Sequence, residues 1–124
     1  MFPYRWSKRP IENIKWIYYS IINFVERGRN GYGRRDAWNL FDYIGDICIG
    51  ALTQLKNEGC SYPMDMTPEE WNEKLETMIV GFKAANRISE LEYNWNDPKE
   101  TEEVYNTYNK GMELFCKHFL NLWD

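Results

Sequence analysis

Histidine is almost absent from this chain: His118 is the only one in 124 residues. The Glu-x-x-His pairs of di-iron bundles therefore cannot be built. Glu113 and Cys116, the neighbours of His118, match no zinc pattern, since a catalytic metal normally takes three or more protein ligands. Cysteine is also sparse. Cys48, Cys60 and Cys116 are odd in number and no two have metal-ligand spacing, so a reducing compartment is the simplest home. Asp42 and Asp46 lie four apart, a spacing that puts two carboxylates on one helix face, but too few ligands accompany them for a metal. There is no Gly-x-Ser-x-Gly, and a cysteine with one distant histidine is a generic pair. No apolar run approaches the ~18 residues of a membrane span. Met1 to Pro10 is basic and aromatic and has no apolar signal-peptide core. Alternating Val/Ile/Thr runs are missing too, which excludes an obvious strand. The expectation is a soluble, cytoplasmic, non-enzymatic protein with no metal and no cofactor.

Aromatic residues are plentiful, at 17% of the chain with six Trp and nine Tyr. Each buries a large area and carries a polar tip, which suits either a bulky core or a surface for a partner or flat ligand. Charge is unevenly spread. Residues 1–35 carry eight Lys/Arg against two Glu, a net +6, and residues 36–124 carry seven against seventeen Asp/Glu, a net −10. That asymmetry suggests a basic patch for an anion or contact between copies, while the acidic overall balance argues against duplex nucleic acid.

Periodicity predicts an all-α compact bundle of about four main helices, one domain over residues 1–124 with a basic, aromatic arm at 1–10. The first helix should open at Pro10 and stop at Gly28, with an apolar stripe of Ile14, Ile17, Tyr18, Ile21, Ile22 and Val25. The second should take Asp36 as N-cap, run to Glu58, and bury Leu40, Ile44, Ile47, Cys48, Ala51, Leu52 and Leu55. The third has the best-defined start: Thr67 as N-cap, Pro68 at N1 and Glu70 at N3 form a capping box, with Met66 and Trp71 as its hydrophobic staple. Trp71, Leu75, Met78, Ile79 and Phe82 follow at helical spacing, and residues 86–96 read as either helix or linker. Asp97-Pro98 starts a last helix that carries Tyr105, Tyr108, Met112, Phe115, Phe119 and Leu122 and should continue to Asp124. His118 then reads as a charge complementing the end of that helix.

Between the first two helices lies Gly28–Arg35, GRNGYGRR, a glycine-rich basic loop. Helix N-termini attract anions, and glycines let backbone approach a phosphate. Arg29, Arg34 and Arg35 offer bidentate contacts, and Tyr32 and Trp38 offer stacking surfaces. These five are the candidate ligand-binding residues. The segment is no P-loop, because it follows a helix and lacks the Gly-Lys-Ser/Thr ending. A solvated basic turn is the plain alternative. Trp16, Tyr19, Phe24, Leu114, Leu120 and Trp123 lie off the main stripes, and this surplus of apolar helix surface predicts a homo-oligomer.

Three segments carry a resemblance. Asp36-Ala-Trp-Asn-Leu-Phe-Asp-Tyr43 resembles a D-x-W-N-L-D-x-Y motif, with Phe41 departing from the pattern. Tyr62-Pro-Met-Asp-Met-Thr-Pro-Glu-Glu-Trp71 with Met78-Ile-Val-Gly-Phe82 resembles Y-P…M-T-x-E-E-W…M-I-x-G-F. The closing Gly111–Asp124 resembles G-x-x-L-F-x-K-Y-F-x-x-L-W-D, with His118 in place of tyrosine. Together they resemble a family of small uncharacterised proteins of bacteriophages and low-GC Gram-positive bacteria. The loop at Gly33-Arg-Arg35 is more basic than that pattern. The resemblance implies a setting and no activity: a phage-type accessory protein in the host cytoplasm, acting against host defence by binding. The expected mode is sequestration of a nucleotide-derived immune signal. The alternatives are anti-CRISPR-like occlusion of a host defence protein and a structural or regulatory role.

Overall fold

The computed structural model describes residues 10–124, so the expected arm at 1–10 falls outside the described residues apart from Pro10. Five α-helices follow in order: α1 Pro10–Asn30, α2 Arg34–Trp38, α3 Leu40–Glu58, α4 Pro68–Ser89 and α5 Pro98–Lys117, then a 3-10 turn at Phe119–Asn121. No strand occurs among the described residues. The fold is all-α, with four main helices and one short one. None is long and apolar enough to cross a membrane. The chain divides into two units, Met1–Ile44 and Gly45–Asp124.

The second unit holds the core. Leu52, Trp71, Leu75, Met78, Ile79 and Phe82 are buried together, and Cys48, Ile49, Leu55, Met66, Met112, Leu114, Phe115 and Leu122 pack against them. All five apolar residues expected to face inward on α4 do so, and Leu75 and Met78 are fully enclosed. α4 begins as its capping box dictates: Glu70 N–H donates to Thr67 Oγ1 at 3.2 Å and Thr67 N–H donates to Glu70 Oε2 at 3.0 Å. Thr67→Ala is expected to lower stability by about 1 kcal/mol, read as a shifted urea midpoint at unchanged slope, with Thr67→Ser close to wild type.

The helix ends at Ser89, so of the stretch 86–96 the first four residues are helix and residues 90–96 are the connection. Leu91 sits at φ 54°, with its N–H on Ile88 O at 3.3 Å and Glu92 N–H on Arg87 O at 2.9 Å. That is a Schellman stop with leucine where glycine is usual. α5 starts as read, Asp97 Oδ1 accepting from Lys99 N–H at 3.0 Å. Of the expected seam, Met112, Phe115 and Leu122 pack on the core, while Tyr105 and Phe119 are 42% and 58% exposed and Val104 and Gly111 are the buried positions. The reason is a close approach, in which a Cβ on Gly111 would lie 2.6 Å from Gly81 Cα. Helices that touch backbone to backbone centre their contact on the glycines and push the flanking rings aside.

α5 does not run to Asp124. It stops at Lys117, and Asp124 folds back to accept from Cys60 N–H at 2.7 Å and Ser61 N–H at 3.1 Å. His118 is buried edge-on against Trp71, 5.6 Å between ring centroids. Burial first, then Lys74 and Lys117, push its pKa below 6.5, against a weaker opposite pull from Asp65. The ring is neutral near pH 7, so it supplies no charge to the helix end.

In α3 the inward face is Cys48, Ile49, Leu52 and Leu55. Leu40, Ile44 and Ile47, expected in the core, are 44–50% exposed. The first turn of α3 belongs to the other unit, and Ala51 is exposed because Ile49 takes the inward direction instead.

Candidate functional site

The first unit is built around a turn that holds two glycines, Gly31 and Gly33. α1 passes through Gly28 and ends three residues later than its sequence suggests. Gly31 closes it at φ +84°, donating its N–H to Arg27 O at 2.9 Å. Gly33 is extended, and a Cβ there would overlap Asn23 Oδ1 at 1.8 Å, so a larger residue would have to displace the Asn23 side chain. The loop is thus Gly31–Gly33 rather than 28–35.

Asp36 is not the N-cap it was expected to be. It sits at N3 of α2, buried, and Gly33 is the cap. Gly33 N–H donates to Asp36 Oδ2 at 2.7 Å, and Arg27 places its fork on the same carboxylate, Nε to Oδ2 at 2.7 Å and Nη2 to Oδ1 at 2.5 Å. The hydrogen bond from Arg27 is the main cause of a lowered Asp36 pKa, assisted by Gly33 N–H and Asn23 and opposed by burial. Asn39 leaves helical geometry at φ −131°, ψ 56°, and its carbonyl accepts from Asp42 and Tyr43 to begin α3. The expected single helix from Asp36 to Glu58 is therefore two helices. Tyr43 hydroxyl donates to Gly31 O, and the Arg27 guanidinium lies 4.7 Å above the Tyr43 ring.

This clasp holds α2 beside α1 and forms a groove of about 510 Å³, lined by Tyr19, Ile22, Asn23 and Glu26 from α1 and Arg34, Arg35 and Trp38 from α2. Trp38 is 92% exposed. The Arg35 guanidinium lies 5.3 Å from the Tyr19 ring centroid. Asn23 Oδ1 is buried without a hydrogen-bond partner. Glu26 receives Arg34 N–H at 2.7 Å and faces Arg34 Nε at 3.7 Å. Among the described residues, two arginines and one glutamate give the lining a net charge of +1.

Of the five candidate ligand-binding residues, the groove gathers Arg34, Arg35 and Trp38. Arg29 and Tyr32 are exposed and outside its lining. The anion cradle expected of the backbone is taken: Asp36 holds Gly33 N–H and Glu26 holds Arg34 N–H. Any negative ligand must therefore be met by side chains. Tyr19, Asn23 and Glu26 are site residues that the motif reading missed. Their signal was spacing, because 19, 22, 23 and 26 share one helical face.

The residues expected at an oligomer contact are scattered. Trp16 is half-buried, Tyr19 lines the groove and Leu114 packs on the core. Phe24, Leu120 and Trp123 are 78%, 87% and 66% exposed. Trp123 borders a smaller hollow of about 240 Å³ with Cys60, Ser61, Tyr62, Pro63 and Asn121. Burial pushes the Cys48 thiol up, away from nucleophilic character. Among the described residues no three His, Cys, Asp or Glu side chains gather as a metal site.

No protein-family model matches the chain, and no solved structure does. The chain is similar to a protein of Dictyostelium discoideum named MYG1 protein, 28% identical over 85 residues. The match takes in 68% of this chain and 23% of that protein, less than a quarter of its length.

Proposed function

We propose that this protein is a non-enzymatic accessory protein of the phage type that acts by binding, and that the groove between α1 and α2 sequesters a nucleotide-derived signal. One observation carries the reading: an exposed tryptophan, a tyrosine and two arginines border a single groove. A base has a flat π-face, and stacking on Trp38 is worth about 1–3 kcal/mol. Arg35 and Arg34 supply the positive charge for a phosphate. Among the described residues the lining offers no Ser, Cys, His or Lys, and its one carboxylate, Glu26, is engaged by Arg34, which supports holding a ligand over transforming it. The motif resemblance supplies the setting, the cytoplasm of a phage-infected or Gram-positive host.

Calorimetry against cyclic dinucleotides and ADP-ribose derivatives tests this. At least one should bind with one site per groove, and Trp38→Ala and Arg35→Ala should each weaken it about 10- to 100-fold. The ligand should be recovered intact after denaturation. Absence of heat across the panel removes the reading, and chemically altered ligand replaces it with an enzyme. Exposed Leu120 and Trp123 favour a second reading, occlusion of a host defence protein. A stoichiometric partner pulled from host lysate by wild type, and lost with Trp123→Ser, would support it.

A further inference from the structure

α1 carries the most regular apolar pattern in the chain, yet none of its residues is buried. Ile11, Ile14, Tyr18, Ile21 and Val25 follow steps of three, four, three and four, the a/d spacing of a coiled-coil seam. Their exposures are 69%, 65%, 61%, 58% and 49%. Ile17 at 41% and Phe24 at 78% widen the seam on one flank. At about 100° per residue, the seam lies about a third of a turn around α1 from the face that lines the groove. The α2 contact therefore leaves it uncovered.

We propose that a second copy of this chain covers this seam, α1 packing antiparallel against α1 of its partner about a two-fold axis between Tyr18 and Ile21. Three features select that occupant and direction. First, the seam is its own complement when reversed. Antiparallel pairing sets Ile14 opposite Val25, Tyr18 opposite Ile21, and Ile11 opposite Gly28, where a missing side chain admits the isoleucine. Ile17 then meets Phe24 along the flank. Second, antiparallel pairing opposes the helix dipoles; the charged side chains select no direction, because Arg5, Lys8 and Arg9 precede α1 and Arg27 and Arg29 end it. Third, the seven side chains expose on the order of 800 Å² per copy, the size of a standard stable interface. The contact is a closed, isologous one, and it leaves the groove on each copy free. It does not depend on what the groove binds.

The test is solution mass by size exclusion with light scattering, followed by cross-linking. Wild type should run as a dimer, and Ile21→Glu, which buries two charges beside the axis, should raise the dissociation constant about 100-fold or more. Ile14→Lys, at an equally exposed position, should act alike. Helicity by circular dichroism should stay near wild type in both, because neither side chain is buried in one copy. Direction is read in a background with Cys48, Cys60 and Cys116 changed to serine. Ile14→Cys with Val25→Cys should form an intermolecular disulfide under mild oxidation, and either change alone should not. A wild-type monomer at millimolar concentration, a dimer indifferent to Ile21→Glu, or efficient cross-linking through Ile14→Cys alone would each overturn the proposal.

Discussion

Gly111→Val is expected to be the most damaging single substitution in the second unit, lowering its stability by about 4 kcal/mol. The reason is that every obstacle is backbone. A Cβ at 111 would lie 2.6 Å from Gly81 Cα, 2.9 Å from Thr77 O and 3.1 Å from Gly81 N. No rotamer change relieves such contacts, so α4 and α5 must separate, and the packing of Phe82 against Phe115, 5.1 Å between centroids, loosens with them. Gly111→Ala should cost less, about 2 kcal/mol, since alanine recovers about 1 kcal/mol of helix propensity while forcing the same displacement. Gly81→Ala should behave alike. The double alanine variant should cost clearly less than the two singles together, because one separation of the helices accommodates both methyls. Urea unfolding followed by tryptophan fluorescence measures all four. If Gly111→Ala stabilised the protein, propensity alone would be acting and the backbone contact would not exist.

That contact shows where sequence legibility stops. Thr67, Pro68, Glu70 and Asp97 act through neighbours three residues away or fewer, so their roles could be read directly. Leu52, Leu75 and Met78 were legible because helical periodicity points them to one face. The Gly81–Gly111 approach needs two helices to be placed first, and neither glycine carries a local signal. The same limit applies to α1. Its stripe was visible as an apolar face and was expected to meet the rest of the bundle. A period says that a face wants covering and does not say by what. The expected oligomer residues were chosen because they lay off the stripe, whereas in α1 the stripe itself is what stays exposed.

The groove was half legible for a related reason. Arg34, Arg35 and Trp38 stood out as chemistry-bearing types in one short segment. Of their α1 counterparts, Asn23 and Glu26 look like ordinary helix residues in the sequence and Tyr19 reads as a contact between copies, until α2 is laid beside them. Asp36 misled most. An aspartate just after a glycine-arginine run reads as an N-cap, but a carboxylate at N3 can reach back to the cap N–H equally well. The deciding partner, Arg27, is nine residues away.

Asp36→Ala is accordingly expected to be the most damaging substitution in the first unit, at about 3 kcal/mol. It removes the acceptor for both arms of the Arg27 fork and for the buried Gly33 N–H, so the carboxylate that ties the end of α1 to α2 is lost. Since Asp36 fastens α2 to the end of α1, Arg34, Arg35 and Trp38 lose their fixed positions and ligand heat should vanish with the clasp. Its pH dependence is directional. The folded-state pKa lies below the ordinary 3.8, because Arg27 and Gly33 N–H favour the charged form. The stabilisation is therefore complete above 3.8 and is lost as pH falls from there through the folded-state value. Trp38 offers the readout: its fluorescence should change in that acid window in wild type and show no such step in Asp36→Asn, which has no proton to gain. A wild-type step centred above 3.8, or the same step retained in Asp36→Asn, would mean that another group governs the clasp.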